Sequence, residues 1–147
     1  MATIQLPPDF REFLKLLTSA DVEYLVIGGY AVNYHGFTRA TGDLDIWIER
    51  SQRNAEGLAL IVRQFGFAEA KADDFLHRAK IIRMGVPPVR LEILTSITGV
   101  DFQDCYSRRI VVDWDGVQVN IIHRDDLVKN KKATGRLKDR LDLEQLS

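Results

Sequence analysis

Residues 24–48 read Tyr-Leu-Val-Ile-Gly-Gly-Tyr-Ala-Val-Asn-Tyr-His-Gly-Phe-Thr-Arg-Ala-Thr-Gly-Asp-Leu-Asp-Ile-Trp-Ile. A short hydrophobic segment, predicted to be a strand, leads into the pair Gly28–Gly29, and a second predicted strand carries Asp43 and Asp45. Because strand side chains alternate between two faces, both carboxylates point to the same side of the sheet. Two like charges on one face repel each other, so folding alone does not explain them. A divalent cation bound between them would.

The composition is that of an ordinary globular chain. A length of 147 residues predicts a single domain over residues 1–147, and 46% hydrophobic with 28% charged residues supports a buried core. The net charge of −1 gives no basic footprint of the kind that dedicated nucleic-acid binders carry. No apolar run reaches the ~20 residues of a membrane span, and the N-terminus shows no signal-peptide pattern. We therefore expect a cytoplasmic protein without membrane contacts.

Periodicity predicts an α+β fold with a mixed central β-sheet flanked by helices. The predicted strands cover residues 23–27, 44–48, 79–84, 89–95, 109–114 and 117–122. The predicted helices cover residues 9–20, 30–35, 52–65, 125–133 and 137–146. Ser51 is the expected N-cap of the third helix, and Asp115-Gly116 predicts a hairpin turn. The two C-terminal helices, in residues 125–146, are expected to pack on the same domain.

The motifs and their order resemble the signature of the nucleotidyltransferase superfamily, which has the DNA polymerase beta-like fold. The match consists of Ile27-Gly28-Gly29, a gap of thirteen residues, and Asp43-Leu44-Asp45-Ile46. Two later segments, residues 91–102 and 126–139, resemble small bacterial members that consist of little more than this domain. The resemblance covers residues 23–146. A lone Gly-Gly or Asp-x-Asp is weak evidence, whereas this order, gap and strand context are more specific.

The resemblance implies a nucleotidyltransferase enzyme. Such an enzyme moves a nucleoside monophosphate from a nucleoside triphosphate, with ATP the expected donor, to an acceptor hydroxyl and releases pyrophosphate. It implies two Mg²⁺ ions, held by the catalytic residues Asp43, Asp45 and Glu92, because Mg²⁺ prefers carboxylate and phosphate oxygens. Glu92 is a departure, since the small relatives usually carry Asp there. Its extra methylene alters the geometry available to a metal.

Six residues are expected to bind the nucleotide: Gly28, Gly29, Arg39, Thr41, Lys131 and Arg136. The glycine pair lets backbone N–H groups at the following helix N-terminus receive phosphate oxygens. Arg39 and Thr41 precede the Asp pair and would add a cation and a hydroxyl. Lys131 and Arg136 are expected at the nucleotide only because the C-terminal segment resembles the family motif. Without that resemblance, a basic helix face is interpreted as a solvated surface.

The acceptor stays open at this point, and so does catalytic competence. Small relatives modify small-molecule hydroxyls, protein side chains or RNA ends, and some belong to toxin–antitoxin modules. The modest length suggests that a protein partner or the second subunit of a homodimer presents the acceptor. The alternative, motivated by Glu92, is a catalytically weak nucleotide-binding module that regulates a protein partner. The three histidines lack zinc-ligand spacing, and Cys105 is expected to be a small core residue.

Overall fold

One mixed β-sheet organises the fold in the computed structural model, which describes residues 5–36, 42–86 and 89–146. The strands are β1 (Tyr24–Ile27), β2 (Asp43–Ile48), β3 (Ile81–Val86), β4 (Val89–Leu94), β5 (Ile110–Trp114) and β6 (Val117–Ile121). The α-helices are α1 (Pro8–Ser19), α2 (Gly28–His35), α3 (Gln52–Gln64), α4 (Phe102–Ser107), α5 (Arg124–Thr134) and α6 (Leu137–Leu146). The predicted α+β class with a mixed central sheet is confirmed. Within those ranges no helix is long and apolar enough to cross a membrane.

The strand order is β3-β4-β2-β1-β6-β5. The central strand β1 pairs antiparallel with β2 and parallel with β6, and β2 pairs in parallel with β4. Two antiparallel hairpins, β3–β4 and β5–β6, form the outer parts of the sheet. Helices α1 and α3 pack together, while α2 packs on β1 and β2 and against α5 and α6. This arrangement brings the start of α2 beside the strand that carries the Asp pair, with the C-terminal helices packed against α2.

The main difference from the predicted elements lies at the glycine pair. The sequence predicts a helix from Tyr30, but α2 begins at Gly28, directly after β1. Gly28 has φ +67°, a backbone conformation that glycine adopts without the steric penalty of a side chain. The chain therefore turns from strand to helix within one residue, and the glycine pair forms the first turn of α2.

Other boundaries shift by one or two residues, and two short elements were not predicted. Strand β3 begins at Ile81 and not at Ala79, because Ala79 takes a positive φ of 61°, which is not an extended backbone conformation. Helix α4 and a 3-10 helix, Ala72–Phe75, were missed because both are too short to show a period. The predicted cap at Ser51 is confirmed, since its hydroxyl accepts a hydrogen bond from the Asn54 amide.

A buried asparagine fastens α3 to the sheet. The Asn54 side chain accepts from the Glu23 amide at 2.7 Å and donates to the Glu23 and Glu49 carbonyls at 3.0 and 2.8 Å. These groups flank β1 and β2, where the chain enters one strand and leaves the other. Because Asn54 is 2% exposed, water cannot replace these bonds. The amide thus fixes the ends of the two strands that carry the glycine and aspartate motifs.

We expect Asn54→Ala to lower the free energy of unfolding by about 2–4 kcal/mol, because it leaves buried backbone groups without partners. Urea denaturation followed by circular dichroism measures the change. Gln52→Ala is the matched control, since its side-chain bond to Glu56 is exposed and worth about 0.5 kcal/mol or less. Equal effects of the two substitutions would contradict this role for Asn54.

Candidate active site

The register of β2, β3 and β4 arranges charged side chains in two rows on one face of the sheet. In the first row, Asp45 pairs with Glu92 on β4, and Glu92 pairs with Arg83 on β3. In the second row, Asp43 pairs with Arg90. Directly paired residues point to the same side of a sheet, as do residues two apart on one strand. Three carboxylates and two guanidinium groups therefore share a small area of this face.

Arg90 connects the two rows. Its Nη2 lies 2.9 Å from Asp43 Oδ2 and 3.0 Å from Glu92 Oε1. The hydrogen bond to Asp43 is the main cause that raises the pKa of Arg90, and the charges of Glu92 and Asp45 add to it. Arg83 approaches the same Glu92 oxygen with its Nε at 3.1 Å. The repulsion expected among the carboxylates is thus compensated by arginines.

The sequence motifs did not identify Arg90 or Arg83. The alternation that directs Glu92 to the Asp face directs Arg90 there as well, because the two residues are separated by one position on β4. That signal was available in the sequence. The position of Arg83 depends on the register of the β3–β4 hairpin, which the sequence did not specify.

Gly28 leaves space for the carboxylate of Asp45. Strand β1 ends at Ile27, which pairs with Asp45, so the first residue of α2 lies next to that side chain. A Cβ atom added to Gly28 would overlap Asp45 Oδ2 and lie 3.0 Å from Cγ. Oδ1 of Asp45 is shielded from solvent. The glycine motif and the aspartate motif, separated by thirteen residues in sequence, are therefore a single packed unit.

The three carboxylates have the chemistry of a magnesium site. Asp43, Asp45 and Glu92 supply hard oxygen donors from neighbouring positions of two adjacent strands. As the side chains stand, no three His, Cys, Asp or Glu residues within the described ranges converge closely enough to hold a metal ion. Arg90 lies between Asp43 and Glu92 instead. The three carboxylates are the type of ligand that a divalent cation prefers, and the Arg90 guanidinium lies between two of them, Asp43 and Glu92.

A second cluster of charges, here called the C-terminal cluster, joins α5 to α6 through Lys131, Thr134, Arg136, Asp139 and Asp142. Lys131 Nζ lies 3.1 Å from Asp139 and 3.0 Å from Asp142, and all three side chains are buried. Arg136 Nε donates to Asp139 at 2.8 Å, and Thr134 donates to the same carboxylate. Burial raises the pKa of Asp139, but the hydrogen bonds from Arg136, Thr134 and Lys131 outweigh it and hold the pKa at about 2.

The two basic residues expected at the nucleotide differ in their surroundings. Lys131 is 4% exposed and bonded to two carboxylates within the C-terminal cluster. The Arg136 side chain is 70% exposed. Its pKa is raised mainly by the hydrogen bond to Asp139, with an electrostatic contribution from Asp45. Arg136 is therefore exposed and within electrostatic reach of Asp45, whereas Lys131 is enclosed by Asp139 and Asp142, and the nucleotide role of each stays a prediction.

Arg39 and Thr41, two of the residues expected to bind the nucleotide, lie outside the described residues. Trp47 shares the face of the Asp pair but is 3% exposed and packs edge-to-face on Phe102, so it closes the far end of that face. Cys105 is a buried core residue, as expected. Burial raises the pKa of its thiol to about 12, with Asp126 adding to the shift, so the thiol stays protonated.

The fold is shared with solved structures, although no family model and no curated protein sequence matches the chain. A candidate nucleotidyltransferase from Thermotoga maritima aligns over 96% of this chain and 94% of its own, with 14% identity and a TM-score of 0.66. The lincosamide antibiotic adenylyltransferase LnuA, bound to lincomycin, aligns over 99% and 98%, with 14% identity and a TM-score of 0.57. ANT(2")-Ia in complex with adenylyl-2"-tobramycin aligns over 95% and 86%, with 10% identity and a TM-score of 0.56.

These likenesses establish the fold. The chain has the nucleotidyltransferase fold over nearly its whole length, as the spacing of the Gly-Gly and Asp-x-Asp motifs indicated. At identities this low the roles of individual residues do not follow from the neighbours. They rest on the arrangement of carboxylates, arginines and glycine described above.

We expect Gly28→Ala to lower the free energy of unfolding by about 2–4 kcal/mol, since it adds backbone strain and overlaps Asp45. In an Asp45→Ala background, Gly28→Ala should lower the free energy of unfolding only by the backbone strain, about 1–2 kcal/mol. Gly66→Ala is the matched control, because Gly66 also has a positive φ but open space around it. Urea denaturation of all four variants measures the coupling. An Asp45→Ala background that relieves nothing would disprove the packed unit.

We expect Lys131→Met to destabilise the protein by about 3–5 kcal/mol at pH 7, because it leaves two buried carboxylates short of a cation. The pKa of Asp139 falls from 3.8 to about 2 on folding, so its stabilisation is present above pH 4 and is lost as the pH falls towards 2. The deficit of Lys131→Met should therefore shrink over that range. Lys129→Met, at an exposed position of α5, is the control for charge removal. A deficit that does not change with pH would argue against the cluster as its source.

Proposed function

We propose that this protein is a Mg²⁺-dependent nucleotidyltransferase. It would transfer a nucleoside monophosphate from a nucleoside triphosphate, with ATP the expected donor, to a hydroxyl-bearing acceptor and release pyrophosphate. The observation that carries the proposal is the pairing of Asp45 with Glu92 on adjacent strands. Asp43 lies two residues before Asp45 on the same face, and Asp45 packs against Gly28 in the first turn of α2. The shared fold with two antibiotic adenylyltransferases supports the same chemistry.

The carboxylates would hold the metal, and the first turn of α2 would receive the phosphates. When bound, Mg²⁺ would neutralise phosphate charge and lower the pKa of the acceptor hydroxyl. Asp43, Asp45 and Glu92 are the residues proposed to ligate it. Helix α2 begins without a side-chain cap, so the N–H groups of its first turn, at Gly28–Gly29, suit phosphate oxygens. Mg²⁺ binding, with two ions, thus stays part of the proposal.

The proposed contacts to the triphosphate come from basic residues around this turn. Arg136 is exposed and close enough to Asp45 to be influenced by its charge, which supports the proposed contact to a phosphate group. Asp139 holds the Arg136 guanidinium, and Lys131 completes the buried support behind it. Arg39 and Thr41 stay proposed phosphate ligands on the basis of their sequence positions.

A small-molecule hydroxyl is the first acceptor class to test. Two structural neighbours were solved with lincomycin and with an adenylylated tobramycin. Protein side chains and RNA ends are the other proposed acceptor classes, and the toxin–antitoxin setting belongs with them. A protein partner or a second copy of the chain would then supply the acceptor.

A second candidate function is a nucleotide-binding module with little turnover that regulates a protein partner. The observation that favours it is the engagement of Glu92 by both Arg83 and Arg90, which draws the third carboxylate away from a metal. The two candidates differ in one measurable property. An enzyme releases pyrophosphate when the acceptor is supplied, whereas the module binds nucleotide without release.

We expect Asp43→Asn and Asp45→Asn each to lower Mg²⁺-dependent transfer by about a hundredfold or more, because each removes a charged ligand that acts in the transition state. Pyrophosphate release with ATP and a panel of acceptors measures the rate, and intact mass identifies the adenylylated product. Asp9→Asn, at an exposed position of α1, is the control.

Undiminished transfer in both variants, with native circular dichroism, would sink the proposed site. Nucleotide binding by calorimetry without pyrophosphate release, across small molecules, protein extract and RNA, would instead support the regulatory module.

A further inference from the structure

Arg90 occupies the middle of the carboxylate site. It reaches from β4 to Asp43 on β2 at 2.9 Å and back to Glu92 on its own strand at 3.0 Å, both through Nη2. Asp45 contributes to its electrostatic environment as well. A single guanidinium therefore compensates the charges that a metal ion would compensate. It also stands between two of the three groups that would have to share that metal.

The bridging position leaves Arg90 incompletely satisfied. Its Nε is buried and donates no hydrogen bond to any residue in the described part of the chain. A buried donor without an acceptor is unfavourable, and arginines with purely structural roles generally satisfy their N–H groups. By contrast, Arg108 uses Nε and Nη2 together on the two oxygens of buried Asp126. The site thus holds Arg90 through Nη2, which Asp43 and Glu92 share, without the full fork geometry of a fixed ion pair.

Arg83 provides a comparison within the same face. It lies 3.1 Å from Glu92, and its side chain is 53% exposed, against 26% for Arg90. Within the described residues, no ion pair joins Arg83 to Asp43 or Asp45. Arg83 therefore lies at the rim of the site, while Arg90 lies within it.

We propose that Arg90 is an exchangeable counter-ion: it neutralises Asp43 and Glu92 when no metal is bound, and the metal–triphosphate complex displaces it. The proposal rests on the proposed function, whose metal and nucleotide it invokes. A metal–triphosphate complex brings a cation for the carboxylates and an anion for the released guanidinium. Guanidinium groups bind phosphate through paired N–H donors, which would include the Nε that has no acceptor within residues 5–36, 42–86 and 89–146.

This exchange predicts shifts of opposite sign when Arg90 is removed. Without nucleotide, Arg90→Gln should bind Mn²⁺ about tenfold more tightly than the wild type, because the competing charge is gone. With nucleotide, the same variant should bind the Mg²⁺–ATP complex about tenfold more weakly, because the triphosphate loses a guanidinium partner. A merely structural arginine would weaken both when removed.

The experiment titrates Mn²⁺ into nucleotide-free protein, with free Mn²⁺ followed by electron paramagnetic resonance, and Mg²⁺–ATP by calorimetry. Arg53→Gln, at an exposed position of α3, is the matched control, expected to change each affinity less than threefold. Arg83→Gln, which releases Glu92 but neither aspartate, should raise the Mn²⁺ affinity less than Arg90→Gln does. Arg90→Lys is the second variant, should Arg90→Gln fold poorly. It keeps the charge but loses the fork, so Mn²⁺ binding should stay near the wild type while Mg²⁺–ATP binding weakens. Weaker or unchanged Mn²⁺ binding in a folded Arg90→Gln protein would overturn the exchange.

A measurement without metal separates this inference from the proposed function. In EDTA, Arg90→Gln should lower the midpoint of thermal unfolding, and adding Glu92→Gln should restore part of the loss, because the uncompensated charge is removed. No restoration, with Mn²⁺ binding intact, overturns the counter-ion role alone. A different result is that Glu92→Gln restores the unfolding midpoint but no variant binds Mn²⁺ or Mg²⁺–ATP. That result would overturn the metal chemistry of the proposed function, and the exchange with it.

Discussion

The repulsion among three carboxylates on one face of the sheet is the constraint on which the rest of the site depends. Asp43, Asp45 and Glu92 are brought together by the parallel register of β2 and β4, and that register is fixed by the hydrophobic residues on the opposite face. The fold therefore imposes a concentration of negative charge that folding energetics would not select. Arg90 compensates the charge from within the same sheet.

The carboxylate site and the C-terminal cluster both combine opposite charges, but the two are built differently. In the C-terminal cluster, the Lys131 ammonium and two aspartates are buried, and Asp139 accepts from three donors. Such a closed group suits an anchor between α5 and α6, because its partners exclude water and satisfy one another. Around Arg90 the groups are partly exposed, and one donor has no acceptor among the residues that the structure describes. Unsatisfied and accessible charges are typical of sites that exchange partners.

The sequence predicted the α+β fold and most elements, because long hydrophobic periods and clear stop signals define them. The spacing of Gly28–Gly29 and Asp43-Leu44-Asp45 also indicated the fold that solved structures share. Two kinds of information were lacking. The packing of Asp45 against Gly28, at the start of α2, is a tertiary contact that local propensity does not contain. The burial of Lys131 depends on how α6 folds back on α5, while its sequence context is that of a solvated basic run.

The contact between Gly28 and Asp45 has a consequence for comparing sequences of this fold. Since a side chain at position 28 and a carboxylate at position 45 compete for the same volume, the two positions cannot vary independently. A related chain with a larger residue after the first strand must have moved or lost the carboxylate on the second. A residue larger than glycine at position 28 is therefore a sign, readable without any coordinates, that the acidic site has been moved or lost.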